Sequence, residues 1–298
     1  MRPAFSVVFL TTLIGAGQGL FIVLFLCELL SQPSSAFLIG GSLIVLVLCG
    51  LGLLASFFHL GHPERAWRAA SMWRTSWLSR EVIALPAFMG AVFLYGVAHW
   101  QHLGYTVALG LLGVVTSMTL FICTGMIYAA VKVLKEWAHP LTLVNFVLLG
   151  CASGTTLAAA FATFTAPELV PVLAQAALVL TALALSTRSA SLLRNARLSP
   201  FSTLQSAIGV RHPRIVQKTQ GAMGGSYNTH EYFHGKSAAF IKTIVPVFMV
   251  LVFFVPLALV LYLPVLAFLL QYAGLLAERW YFFAEAQHPQ NLYYQTVS

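Results

Sequence analysis

The sequence predicts an all-α membrane protein, a single bundle of eight transmembrane helices that occupies residues 1–298. Hydrophobic residues make up 59% of the chain, charged residues make up only 8%, and apolar runs long enough to cross a bilayer recur along it. A soluble domain carries about 25% charged residues, so this chain cannot cover a soluble surface. Long continuous apolar runs indicate helices, because the strands of a membrane barrel alternate in polarity.

Eight segments each supply the roughly 20 apolar residues that a transmembrane helix requires. Polar or turn-forming residues separate them: the turn at 31–35 divides the first two, Ser76 or Ser79 can cap the third, and Pro256 and Pro264 punctuate the last two. The predicted spans are 5–30, 36–58, 81–99, 104–131, 140–163, 168–187, 238–260 and 264–284.

The basic residues predict the orientation of the bundle. All 16 Lys and Arg residues fall at the N-terminus, in or beside the second, fourth and sixth loops, or near the end of the last helix. Loops that retain Lys and Arg face the cytoplasm, so both termini and the long loop at 188–237 are predicted to be cytoplasmic. The net charge of +8 is thereby explained by topology, and no nucleic-acid partner is expected.

The stretch FFHLGHPERAW, Phe57–Trp67, brings several ionisable groups to the exit of the second span. His59, His62 and Glu64 can exchange protons near neutral pH when their surroundings tune them. Arg65 can hold a carboxylate or a carbonyl oxygen. Charged residues at a span end also snorkel to the interface, and from spacing alone this structural role is the more common one.

Two further clusters carry charged groups on the same predicted side. In SWLSREVIALP, Arg80 and Glu81 follow the capping serines, and the helix dipole alone explains a carboxylate in a first turn. In AERWYFF, Glu278 and Arg279 lie inside an apolar run, which indicates an inward-facing pair near the interface. An aromatic belt with a snorkelling arginine is the structural alternative.

The histidines and cysteines show no pattern for a resident metal centre. All nine histidines fall at span ends or in loops, whereas a b-type haem requires facing pairs at mid-membrane depth. The four cysteines lie in apolar runs without a CxxC pair, which favours buried structural thiols. We therefore expect no metal, no haem and no iron–sulfur cluster in this chain.

These motifs together resemble a known family. HLGHPERAW followed by SWLSRE is similar to the signature of the DmsC family, the membrane anchor subunits of dimethyl-sulfoxide-reductase-type molybdoenzyme complexes. The loop stretch GGSYNTHEYFHG resembles a second family motif, which usually has Phe in place of Tyr227 and Arg in place of His230. The similarity covers most of the chain, including the count of eight helices.

The resemblance implies an anchor in the bacterial inner membrane that binds ubiquinone or menaquinone. Its implied partners are an iron–sulfur subunit with [4Fe-4S] clusters and a molybdopterin catalytic subunit, both on the cytoplasmic side. The residues that correspond to the family's quinone site are His59, Arg65 and Glu81. Residues considered for the pocket or a proton path are His62, Arg80, Glu278 and Arg279. Some family members have Ser at the position of His62. Residues expected to dock a partner are Tyr227, Asn228, His230, Phe233 and His234.

The first 21 residues look most like the DmsC subgroup that anchors cytoplasmic sulfite dehydrogenases. The predicted function is therefore to pass electrons from sulfite oxidation to the quinone pool, while the molybdenum chemistry belongs to a partner. Three alternatives stay open: a quinol-oxidising anchor of a dimethyl sulfoxide reductase-type complex, a purely structural anchor, and a secondary transporter. The transporter is disfavoured because the polar groups cluster at one interface instead of the midplane and no internal repeat is present.

Overall fold

The computed structural model describes residues 1–58, 60–199, 202–216 and 234–289, and every secondary-structure element in these ranges is helical. The first six long helices are α1 (Phe5–Ser31), α2 (Ser35–Phe57), α3 (Trp77–Trp100), α4 (Thr106–Ala129), α5 (Pro140–Thr165) and α6 (Val170–Asn195). Then follow α7 (Leu204–Ile208), α8 (Ala238–Met249), a π-helical turn (Val250–Phe254), α9 (Val255–Leu259) and α10 (Pro264–Glu285). Two 3-10 helices cover Pro63–Ala70 and Pro167–Leu169.

Seven helical units among the described residues are long and apolar enough to cross a membrane: α1 to α6, and α8 with its continuation into α9. The chain is therefore a multi-pass membrane protein. The last helix, α10, has 22 residues but carries Glu278, Arg279 and Glu285 in its second half, and it is not one of the seven. The eighth crossing stays a prediction.

The start of α1 and the end of α10 lie at the same face of the bundle. The Met1 amine donates a hydrogen bond of 2.7 Å to the carbonyl of Ala286. The indole nitrogen of Trp137 donates one of 2.9 Å to the carbonyl of Phe282, which brings the α4–α5 loop to this face as well. We call the surface formed by Met1, residues 130–139 and the C-terminal end of α10 the basic face.

Helices α1 and α5 form the centre of the bundle. In each of these two helices, 67% of the residues in the most apolar 18-residue stretch are buried, whereas the share is 22–39% in the other five spans. The two central helices pack against each other, and both also contact α4 and α10. Side chains that α1 and α5 direct inward therefore meet groups from several helices at once.

The crossing of α1 and α5 depends on glycine. The GAGQG stretch at Gly15–Gly19 predicts a close-packing face of small residues, and the structure confirms it. A β-carbon on Gly19 would collide with the carbonyl group of Gly150, and one on Gly154 would collide with the backbone of Gly19 and Leu20. Backbone atoms cannot rotate out of the way, so this approach requires glycine on both helices.

We expect Gly19→Ala to destabilise the folded protein by about 1–3 kcal/mol, because the added methyl group overlaps the Gly150 backbone. The matched control is Gly50→Ala on α2, where a β-carbon meets no neighbouring atom. The thermal unfolding midpoint in detergent, followed by tryptophan fluorescence, compares the two variants. Equal midpoints would contradict the close-packing role of Gly19.

Candidate functional site

An internal cavity lies where α1, α3, α4, α5 and α10 meet. Its polar lining residues are Thr11, Thr12, Gln18, Glu81, Thr124, Ser153 and Arg279. The rings of Phe121 and Phe146 form part of the apolar wall. About 20 Å³ is available to the centres of water molecules, which is room for one or two waters. We call this space the Glu81 cavity.

Glu81 is the carboxylic acid of this cavity and is only 9% exposed. Its Oε1 atom accepts a hydrogen bond of 2.5 Å from the hydroxyl of Thr124 on α4. The predicted serine cap is confirmed, since the Ser76 hydroxyl accepts a hydrogen bond from the Ser79 amide. Because α3 begins at Trp77, however, Glu81 lies beyond the first turn, and the expected explanation by the helix dipole is wrong.

Arg279 enters the same cavity from α10 and is 4% exposed. Its guanidinium lies 3.8 Å from the centre of the Phe146 ring, and its Nε atom lies 3.3 Å from Glu278 Oε2. The pair therefore faces inward, as one of the two sequence interpretations expected. The alternative of a snorkelling arginine is wrong, because a snorkelling side chain would reach solvent.

Glu278 also pairs with Arg188 of α6, whose Nε atom lies 2.7 Å from Glu278 Oε1. All three side chains of this Arg–Glu–Arg network are at most 4% exposed. The sequence interpretation placed Arg188 at the start of the sixth loop, but residues 188–195 are the last two turns of α6. The burial of Arg188 corrects that interpretation. The negative charge of Glu278 explains how an arginine is tolerated inside the bundle.

A second, smaller cavity adjoins this network between α5, α6 and α10. Its lining residues are Glu136, Thr142, Asn145, Arg188, Ser191, Asn195, Glu278, Arg279 and Phe282. We call it the Arg188 cavity. Arg279 lines both cavities, so this one side chain stands between them.

The described part of the motif HLGHPERAW, from Leu60 onward, lies mainly on the surface. The 3-10 helix Pro63–Ala70 carries Arg65, and both His62 (3.0 Å) and Arg65 (3.7 Å) pair with the Glu64 carboxylate. These three side chains are 58–69% exposed, and none lines the Glu81 cavity. His59, the first residue of the expected quinone site, lies outside the described residues.

Arg80 also stays on the surface, where its guanidinium closes the α2–α3 loop. It stacks 4.2 Å from the centre of the Trp77 ring and donates hydrogen bonds to the carbonyls of Trp73 and Arg74. Of the predicted site residues, the structure thus brings Glu81 and Arg279 into one cavity with Glu278 behind them. His62, Arg65 and Arg80 lie apart from that cavity at the surface.

The expected docking segment is described only at its end. Tyr227, Asn228, His230 and Phe233 lie outside the described residues. The ring centre of His234 lies 6.3 Å from that of Trp280 on α10. Burial lowers the pKa of His234, and the positive charge of the N-terminal amine lowers it further. This interaction indicates that His234 lies close to Met1 at the basic face.

Comparison with known proteins decides the family of this chain. The family model described as DMSO reductase anchor subunit (DmsC) matches residues 1–294. The chain belongs to the DmsC family. A sulfite dehydrogenase subunit from Allochromatium vinosum is 52% identical to it over 325 aligned positions that cover all of both chains. This DmsC-family protein is accordingly a membrane anchor subunit of a molybdoenzyme complex, with catalytic and electron-transfer subunits as its partners.

The DmsC-family chain has a second buried cluster that the sequence interpretation did not single out. The Tyr95 hydroxyl donates to Glu28 Oε2 over 2.8 Å, and His99 Nε2 lies 3.3 Å from Glu28 Oε1. Glu28 lies near the end of α1 and the other two near the end of α3, so the cluster is remote from the basic face. The four-residue spacing of Tyr95 and His99 puts them on one helix face and was the available signal.

Among the described side chains of this DmsC-family anchor, no group of three His, Cys, Asp or Glu residues could hold a metal ion. Cys27, Cys49 and Cys123 are buried free thiols and Cys151 is partly buried.

Proposed function

We propose that this chain is the quinone-reducing anchor of a cytoplasm-facing sulfite dehydrogenase complex. Electrons from sulfite oxidation would reach it through an iron–sulfur subunit and pass to the quinone pool. The observation that carries the proposal is the Glu81 cavity, in which a buried carboxyl group and a buried guanidinium face one space inside a DmsC-family anchor. The name and 52% identity of the Allochromatium vinosum relative support sulfite as the electron source.

The chemistry of quinone reduction suits these residues. Two electrons and two protons convert a quinone to a quinol, and the protons are added at the two carbonyl oxygens. Arg279 carries the donors that would hold a carbonyl oxygen, and Glu81 is the acid that would deliver a proton to it. Thr124 orients the Glu81 carboxyl by its hydrogen bond. The rings of Phe121 and Phe146 offer apolar surface to the quinone ring.

The present cavity has room for water and not for a whole quinone ring. Binding would therefore require the lining side chains to move apart as water leaves. His59, Arg65 and His62 remain in the proposed site on the strength of the family motif. Tyr227, Asn228, His230, Phe233 and His234 likewise remain proposed contacts of the iron–sulfur subunit.

The cytoplasmic orientation is supported by the charges and by the course of the chain. All 16 basic residues belong to one side of the eight-span arrangement, and such loops stay in the cytoplasm. Since α1 begins and α10 ends at the basic face, an even number of crossings is favoured, which makes α10 the eighth span. Proton uptake and electron delivery would then share one side, and quinone reduction would move no charge across the membrane.

The test uses the complete complex, purified through a tag on this chain. We expect a molybdopterin subunit and an iron–sulfur subunit to co-purify, and sulfite to reduce decylubiquinone or a menaquinone analogue, followed by absorbance. Ferricyanide as an artificial acceptor checks sulfite oxidation independently of this chain. Full activity with ferricyanide and none with either quinone would contradict the proposal, and dimethyl sulfoxide-dependent quinol oxidation would select the alternative direction.

A further inference from the structure

We propose that the Arg188 cavity is the proton entrance of the quinone site, a water-filled route from Glu136 at the basic face, past Glu278, to Glu81. The inference rests on the proposed quinone reduction and names the residues that supply its protons. Asn145 and Ser191 of this route belong to none of the sequence motifs described above. Three observations support the route: the arrangement of the two cavities, the unsatisfied polar atoms that they contain, and the charged groups that line them.

The entrance is at the basic face. Glu136 belongs to the α4–α5 loop, is half-buried and lines the Arg188 cavity. Burial lowers the pKa of the neighbouring Met1 amine to about 6, while the charge of Glu136 acts in the opposite direction. Glu136 is thus an acid with one side toward the surface and the other toward the interior.

The Arg188 cavity has the properties of a water site. The Asn145 amide donates a hydrogen bond of 2.8 Å to the Ser191 hydroxyl, but Asn145 Oδ1 and Arg188 Nη2 have no hydrogen-bond partner within the described part of the chain. Both atoms are fully buried, and buried polar groups are nearly always satisfied by protein or ordered water. The cavity offers about 10 Å³ to water centres, which is room for about one molecule.

The charges along the route permit a proton to pass. Two arginines, Arg188 and Arg279, face the carboxyl groups of Glu278 and, at the rim, Glu136. A fifth charged group, Glu285, interacts with Arg188 and Glu136. With Glu81 in the neighbouring cavity, four acids lie along the route beside two arginines, so acids remain that no arginine neutralises. Arginine keeps its proton, and two arginines hold the Glu278 carboxylate, so water is the proton carrier between the two cavities.

Arg279 acts as the positioning residue between the cavities, because it lines both. In each turnover the iron–sulfur subunit would supply two electrons, and the two protons that the quinone takes up would pass through Glu81. Each proton that Glu81 releases is replaced by one that enters at Glu136. Protons and electrons therefore balance, and the source of the protons is water at the basic face.

The double substitution Asn145→Leu with Ser191→Ala tests the route in the complete complex. It removes both partners of one hydrogen bond and one of the two unsatisfied atoms of the water site, but leaves Glu81, Arg188 and Arg279 in place. We expect sulfite-dependent decylubiquinone reduction to fall by about 10²-fold, the lower range for a positioned proton donor. The solvent deuterium isotope effect should rise, because proton delivery becomes limiting, while the KM for decylubiquinone should stay unchanged.

Thr181→Val is the matched control, since Thr181 is a buried hydroxyl residue of α6 that lines neither cavity. Glu136→Gln is the second test, because an isosteric substitution at a half-buried loop position should preserve folding. Added formic acid should restore its lowered rate. Rates and isotope effects equal to those of Thr181→Val in both tests would overturn the route. A wild-type complex that fails to reduce quinone would overturn the proposed function itself.

Discussion

Glu81→Gln is expected to lower sulfite-dependent quinone reduction by about 10²- to 10⁴-fold, the range in which a positioned acid contributes to a rate. Glutamine keeps the shape of the side chain and a carbonyl oxygen for the Thr124 hydroxyl, but it has no proton to deliver. The rate of decylubiquinone reduction by the purified complex measures the effect, and ferricyanide reduction shows that sulfite oxidation by the partner subunits continues.

Glu168→Gln is the matched control for this result. Glu168 carries the same carboxyl group, but it is exposed before α6 and lies outside the Glu81 cavity. We expect its complex to reduce quinone at the wild-type rate. If Glu81→Gln behaved like Glu168→Gln, the carboxyl group in the cavity would have no part in quinone reduction, and a structural anchor would be the better description of this chain.

Glu278→Gln is expected to destabilise the anchor by about 3–5 kcal/mol, because breaking a buried ion pair leaves uncompensated charge in a medium that cannot solvate it. The substitution preserves shape and leaves Arg188 and Arg279 buried without their shared carboxylate. The thermal unfolding midpoint of the anchor in detergent, and the yield of assembled complex, measure the loss.

Glu168→Gln provides the comparison, since Glu168 is exposed before α6 and its substitution should change stability by less than about 0.5 kcal/mol. The apolar triple variant Arg188→Met, Glu278→Leu, Arg279→Met should recover stability, because replacing a whole buried network by apolar residues is often neutral. It should not recover quinone reduction. A Glu278→Gln midpoint equal to that of Glu168→Gln would contradict the role of the network.

Local properties of the sequence were sufficient to predict the helices, the family and part of the helix packing. Hydropathy is set residue by residue, so long apolar runs predict the helices observed, although α3 begins earlier and α6 ends later than expected. The spacing of glycine in GAGQG predicts the face on which α1 meets α5, because only a missing β-carbon permits that approach. The combination of HLGHPERAW and SWLSRE was sufficient to identify the DmsC family.

The site itself was decided by tertiary structure. A charged residue near a span end has the same local sequence whether it snorkels or turns inward, so spacing could not separate exposed Arg65 from buried Arg279. Whether such a side chain is exposed or buried depends on its helix and on the neighbours of that helix. Helices α4 and α10 pack on the central helices α1 and α5, and α3 packs on α4, so that Glu81 and Arg279 line one cavity. The packing of α6 on α5 turns Arg188 toward Glu278. Burial then requires the charges to be paired, a condition that arises from the fold and that no single segment carries.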